Sequence, residues 1–156
     1  MEKEEKYRLL LAQLKALVEG EDDEVSVMAN VSAAIHETMG FFWTGFYVVK
    51  PLTADGDGKE ELRLGPFQGP VACMHIGYGR GVCGTAWQRA ETVVVPDVEA
   101  FPGHIACSSL SRSEIVVPVF DAGHRVKAVL DIDSKELGTF DEVDARWLEQ
   151  IVTLLA

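Results

Sequence analysis

Cysteine is scarce in this chain: three in 156 residues. An odd, small number argues against a disulfide framework and leaves thiols for a core or for chemistry. No two of them show the C-x₂₋₄-C spacing of a structural zinc site. No run of 18 apolar residues exists, so no membrane-spanning helix is expected. The charged N-terminus is followed by no early apolar segment, so no secretory leader is expected either. Positive charge is also short, with 14 Lys and Arg against 25 Asp and Glu and a formal charge of −11. Such a balance repels phosphate backbones and gives nucleic acid no footing. What remains, with 47% hydrophobic and 25% charged residues, is the composition of a globular domain long enough to build one core.

Periodicity supplies the elements. Leu10, Leu14 and Leu17, with Leu11 and Val18, recur at helical spacing and predict an amphipathic helix ending at Gly20. Val27, Val31 and Ala34, with Met28 and Ile35, predict a second, stopped by Gly40. The acidic run Glu21–Glu24 between them suits a helix N-terminus. Val143, Trp147, Ile151 and Leu154 predict a last helix, N-capped by Asp141. Between these lie strand candidates at Phe41–Val49, Glu61–Leu64, Val71–Ile76 and Thr92–Val95. A Gly/Asp turn at Asp55–Gly58 and a probable helix start near Cys83 punctuate them. Glu114–Phe120 and Arg125–Asp133 read as a hairpin closed by Asp121-Ala122-Gly123-His124. The class is α+β, an antiparallel sheet of about six strands with the terminal helices on one face, in a single domain over residues 1–156.

The hairpin places acids. With residues 121–124 as the loop, Phe120 faces Arg125, Glu114 faces Asp131 and Val116 faces Val129. Strand alternation puts Asp131 and Asp133 on one face, opposite a core stripe of Val126, Ala128, Leu130 and Ile132. Glu114, Asp131 and Asp133 therefore converge away from that stripe. Clustered carboxylates bind a cation, share a proton or point into water. An open hydrated sheet face and an ammonium site with one protonated acid both satisfy that demand. In the strand Phe41–Val49, Trp43, Gly45, Tyr47 and Val49 share a face, either as a pocket wall or as ordinary core.

For the cysteines three readings stay open on residue pattern alone. Cys73, Cys83 and Cys107 with His75 and His104 offer zinc ligands, at weak spacing. Burial as inert thiols suits Cys83. Redox chemistry suits Cys107, in a Gly/Ser-rich loop shortly before Glu114. Acids nearby would raise its pKa, so backbone N–H groups or His104 would have to compensate.

The order of motifs settles on one family. Trp43-Thr44-Gly45-Phe46-Tyr47, Gly65-Pro66-Phe67-Gln68-Gly69, Ala72-Cys73 and Gly79–Gly84 come first. Pro96-Asp97-Val98, Phe101–Cys107, Ser113–Pro118 and Leu130–Ser134 follow. Together they closely resemble the free methionine-(R)-sulfoxide reductases, a GAF-domain family, over nearly the whole chain. Two departures are a longer loop at Leu52–Glu60 and Ser108 where the family often has Asp.

The resemblance implies a GAF-like fold with the ligand pocket on the face opposite the helices. It implies Cys107 as nucleophile, Cys73 as the usual resolving cysteine and Cys83 as a third that assists. Glu114, Asp131 and Asp133 become the substrate-binding acids, and Trp43 and Tyr47 the wall around the substrate methyl group. The implied reaction reduces free methionine (R)-sulfoxide to methionine through a sulfenic acid and a disulfide, regenerated by thioredoxin or a similar dithiol. It needs neither a cofactor nor a metal and takes place in the cytoplasm, with no membrane or nucleic-acid partner and with room for a homodimer. A GAF sensor that binds a small molecule without turnover, and a Cys/His metal protein, are the competing classes.

Overall fold

The computed structural model describes residues 1–52, 58–104 and 109–156. The predicted turn at 55–57 and Cys107 lie outside the described residues. Two helices lead, α1 (Lys3–Val18) and α2 (Glu24–Met39). They are followed by strands β1 (Trp43–Pro51), β2 (Glu60–Gln68) and β3 (His75–Ile76), then helix α3 (Gly81–Arg89) and strand β4 (Val93–Val95). The hairpin β5 (Ser113–Phe120) and β6 (Val126–Ser134) precedes the last helix, α4 (Glu142–Val152). The strands form one antiparallel sheet in the order β3-β2-β1-β6-β5-β4. No helix among the described residues is long and apolar enough to cross a membrane.

Both faces of this sheet are covered. On one, Phe46, Ile115, Val117, Leu130 and Ile132 pack against Leu10, Leu14, Val31, Ile35 and Leu148 of α1, α2 and α4. On the other, Trp43, Tyr47, Val116 and Val129 pack with Val82, Cys83 and Ala86 of α3. Strand alternation makes the division, since neighbours such as Tyr47 and Phe46 point to opposite faces.

Local chemistry explains most boundaries. Asp23 caps α2 by accepting from the Val25 N–H, and Gly40 closes it in the left-handed region at φ 72°. Asp141 and Asp144 form a capping box at α4, each carboxylate accepting from the other's backbone N–H. Asp144 is wholly buried and also accepts from Tyr7 Oη at 2.5 Å and Lys3 Nζ at 2.7 Å. This one carboxylate therefore ties α1 to α4.

Three expectations change. The candidate strand Val71–Ile76 shrinks to His75–Ile76. The segment before it is held by side chains, with Trp43 Nε1 donating to Pro70 O at 2.9 Å and Tyr47 Oη to Cys73 O at 2.8 Å. The strand Glu61–Leu64 runs on to Gln68, through Gly65 and Pro66. Pro66 is tolerated because β3 reaches only Leu62 and Arg63, leaving that edge without a partner there.

The hairpin register also differs, by two residues. Glu114 lies opposite Asp133, and Val116 opposite Asp131. One residue comes from the loop, in which Asp121 N–H donates to Arg125 O at 2.8 Å and the Asp121 side chain accepts from the Gly123 and Arg125 N–H groups. The other comes from a bulge, since Phe120 pairs with Val126 and Val119 with Ala128. The bulge moves Val126 off the helix-facing stripe and into the α3-side cluster. A slip of two preserves the faces, so the convergence of the three acids survives.

Replacing Asp144 with Ala should leave the buried Tyr7 hydroxyl unpaired and remove half of the capping box. A loss of about 1–3 kcal/mol is expected, read as a Tm lower by about 2–4 °C per kcal/mol.

Candidate active site

The α3-side cluster lines a cavity of about 50 Å³. Each wall has a distinct local cause. The aromatic wall comes from β1. Trp43 stacks between Tyr47 (centroids 6.0 Å apart) and Phe67 (5.2 Å). Gly45 permits this, because a Cβ there would sit 2.3 Å from Phe67 Cβ and 2.7 Å from the Trp43 ring. Trp43 and Tyr47 thus prove to be both core and cavity wall, and their polar atoms are used up on the 70–73 backbone.

The opposite wall is the first turn of α3. A Cβ on Gly84 would meet Gly77 O at 2.5 Å, so glycine is what lets the helix pack against the preceding turn. That contact presses Gly81, Val82 and Cys83 against the cavity. The N-cap, Arg80, offers no side-chain cap, and the first N–H groups of the helix give this wall a positive end.

The floor is acidic. Glu114 and Asp131 are each 6% exposed, and Asp133 lines the same cavity. Cys83 Sγ and single carboxylate oxygens of Glu114 and Asp131 lie within 4.8 Å of one another. Among the described residues Asp131 Oδ1 is buried with no hydrogen-bond partner. A buried acceptor of this kind suits a donor brought by a ligand.

Burial raises the pKa of all three acids. Glu114 and Asp133 are pushed up well above the usual carboxylate range, by desolvation first and then by the charge of Asp131. Asp131 rises too, by desolvation, but the neighbouring donor groups of Glu114, Cys83 and Asp133 offset part of that. The three acids therefore titrate as one coupled set, in which Asp131 is pushed up least. Burial and the same acids also raise the Cys83 thiol far up, so Cys83 sits here as a neutral thiol.

The structure brings together most of the residues singled out in the sequence. Trp43, Tyr47, Cys83, Glu114, Asp131 and Asp133 all line the cavity, and His104 joins them. Cys73 is half-buried and disulfide-bonded, whereas Cys83 is free. His75 does not join the group. It hydrogen-bonds Glu61 Oε2 at 2.7 Å, outside the cavity at the β2–β3 edge, which takes it out of the zinc set considered for it. Arg80 and Phe42 also line the cavity and were missed in the sequence. The signal for Arg80 was its place between Gly79 and Gly81, both at positive φ, in a turn that aims a helix N-terminus.

This geometry is that of a domain which forms a small cavity, apolar at its walls and acidic at its floor, between a sheet and one short helix, and its family is now definite. The chain belongs to the GAF domain family, whose model matches residues 21–156. Among curated proteins it is 54% identical to GAF domain-containing protein A of Dictyostelium discoideum, covering 98% of this chain and 92% of that one. It is 42% identical to the free methionine-R-sulfoxide reductase of Escherichia coli, covering 99% and 89%. Among solved structures it superposes with a TM-score of 0.90 and 50% identity on free methionine-R-sulfoxide reductase from Neisseria meningitidis in complex with its substrate, covering 99% and 89%.

Two outcomes follow. Gly45→Ala should displace Trp43 or Phe67 and cost about 1–3 kcal/mol as overpacking, visible as a lower Tm and altered tryptophan fluorescence. For pH, the sign is set by acids whose folded pKa exceeds the unfolded value. Their contribution is fully present below the unfolded carboxylate pKa of about 4 and is lost as pH rises through the folded values. Asp131→Asn should therefore raise the Tm of the ligand-free protein at pH 8 by about 2–4 °C, as a gain of about 1 kcal/mol gives in a chain of this size. It should do so less at pH 4.

Proposed function

We propose that this protein is an oxidoreductase that reduces free methionine (R)-sulfoxide to methionine, as a single-domain enzyme of the cytoplasm. The observation that carries the reading is the meeting of three acids, two buried and one half-buried, with an aromatic wall in one cavity. It is supported by homologues named for this activity that match along nearly the full chain.

Each part of the substrate finds a chemical counterpart. The ammonium pairs with Asp131, the acid that ionises most readily of the three, by a charge-assisted hydrogen bond to the otherwise unpaired Oδ1. The carboxylate faces the N–H groups at the start of α3 and Arg80. The methyl group lies against Trp43 and Tyr47. A methionine within a polypeptide has neither charged end, which explains selection for the free amino acid.

In the reaction Cys107 attacks the sulfoxide sulfur. The substrate S–O bond breaks and an S–O bond forms on Cys107, so the sulfoxide gains two electrons and the cysteine loses them. A sulfoxide oxygen leaves poorly unless protonated, and a neutral buried acid, Glu114 or Asp133, donates that proton while Cys107 gives up its own. Cys73 then condenses with the Cys107 sulfenic acid, forming the disulfide and releasing water. The disulfide-bonded state of Cys73 and the free state of Cys83 favour Cys73 for this role, with Cys83 in reserve. A thioredoxin-like dithiol restores both thiols by exchange.

The purified protein with dithiothreitol should turn over the free R epimer, but neither the S epimer nor the N-acetylated R compound. Cys107→Ser should abolish turnover, and Cys73→Ala should yield about one methionine per protein before the sulfenic acid accumulates. Equal rates on the acetylated compound would remove the ammonium site from the mechanism. Normal turnover by Cys107→Ser would exclude the nucleophile.

A further inference from the structure

An acid that gives a proton in every cycle must also recover one, and Glu114 meets solvent only at the floor of the cavity. It is 6% exposed, and its titratable neighbours in the cavity are poorly suited to recharge it. Asp131 is as buried as Glu114, and the half-buried Asp133 is an acid whose own pKa is pushed well above the usual carboxylate range. Tyr47 and Cys83 hold their protons far too tightly. Arg80 does not release its proton at all.

His104 is different among the described residues lining the cavity. Its Nε2 lies 3.8 Å from Glu114 Oε1, and its side chain is 16% exposed against 8% for that of Glu114. It thus spans the interval between the buried acid and the rim. The turn that carries it is fixed, with Gly103 at φ 75° and the His104 N–H donating to Phe101 O at 3.2 Å.

Charged groups from two elements share the cavity with this imidazole. Burial lowers its pKa and the charge of Asp131 on β6 opposes that, while Arg80 lines the same cavity from the start of α3. An imidazole titrates within the range where solvent can both load and unload it.

We propose that His104 is the proton relay of this site, a positioning residue through which Glu114 is recharged from solvent after each reduction. The inference rests on the reductase reading above. In the step, Glu114 passes its proton to the sulfoxide oxygen and becomes a carboxylate. The His104 imidazolium returns a proton from Nε2 to Glu114, and water at the rim reprotonates the imidazole. The relay is proton-neutral over one cycle, because the proton shed by the Cys107 thiol reaches the solvent.

The test is the rate of methionine formation by pre-reduced wild type and His104→Gln in a single turnover, which removes disulfide reduction from the rate, followed by repeated turnover with dithiothreitol. Glutamine keeps polarity and approximate size but carries no exchangeable charge. The first turnover should stay close to wild type, since Glu114 starts protonated. Repeated turnover should fall by about 100-fold, with KM for free methionine (R)-sulfoxide unchanged and with the lost rate partly restored by added imidazole. A structural role would not be rescued by imidazole, so loss without rescue overturns the relay. So does a His104→Gln variant that cycles at the wild-type rate. Absence of turnover in the wild type overturns the reductase reading and the relay with it, whereas wild-type turnover with an unaffected variant overturns the relay alone.

Discussion

Taking carboxylates out of water, Glu114 and Asp131 fully and Asp133 in part, is the constraint around which the α3 side of this protein is arranged. An isolated buried carboxylate is costly, and the usual escapes are protonation or pairing. Here both are used at once. Glu114 and Asp133 are driven toward the neutral form partly by the charge on Asp131, and they stabilise that charge in return. Remove the cover of α3 and the acids rehydrate, their pKa values fall and the difference between them narrows. The close packing at Gly84 and the stacked aromatics around Gly45 are therefore part of the electrostatics as well as of the core.

The sheet divides labour between its faces. The helix-facing side is a conventional apolar core, tied across its ends by the buried Asp144 with Tyr7 and Lys3. This rigid layer holds β1, β5 and β6 in register, which fixes the spacing of the acids on the other side. Stability on one face thus supports a strained electrostatic arrangement on the other. Sites of this kind combine neutral acids, an unpaired acceptor and an aromatic wall, and they suit a small zwitterion better than a polymer.

Much of this was legible in the chain. The helix stripes, the stop at Gly40, the cap at Asp141 and the hairpin around Gly123 depend on neighbours within a few residues, and they appear as expected. The face shared by Glu114, Asp131 and Asp133 was also readable, because strand alternation survives any even slip of register. The expected pairing of Glu114 with Asp131 was not, since it hung on the loop closing one residue wider and on a bulge at Lys127 that leaves no mark in the pattern. Arg80 escaped notice because its place between Gly79 and Gly81 marks a turn but not the cavity which that turn faces once α3 is docked.

By itself the sequence determined the order and type of elements, the two-sidedness of the strands and the grouping of the acids, all consequences of short-range periodicity and backbone preference. Only the tertiary structure decided that the acidic face is closed rather than hydrated. That outcome requires α3 to fold back from a distance in the chain and exclude water. It requires β1 to bring Trp43 beside β6, and the turn at Gly103 to set His104 against Glu114. Desolvation belongs to a packed assembly of distant segments, and no local stretch of residues encodes it.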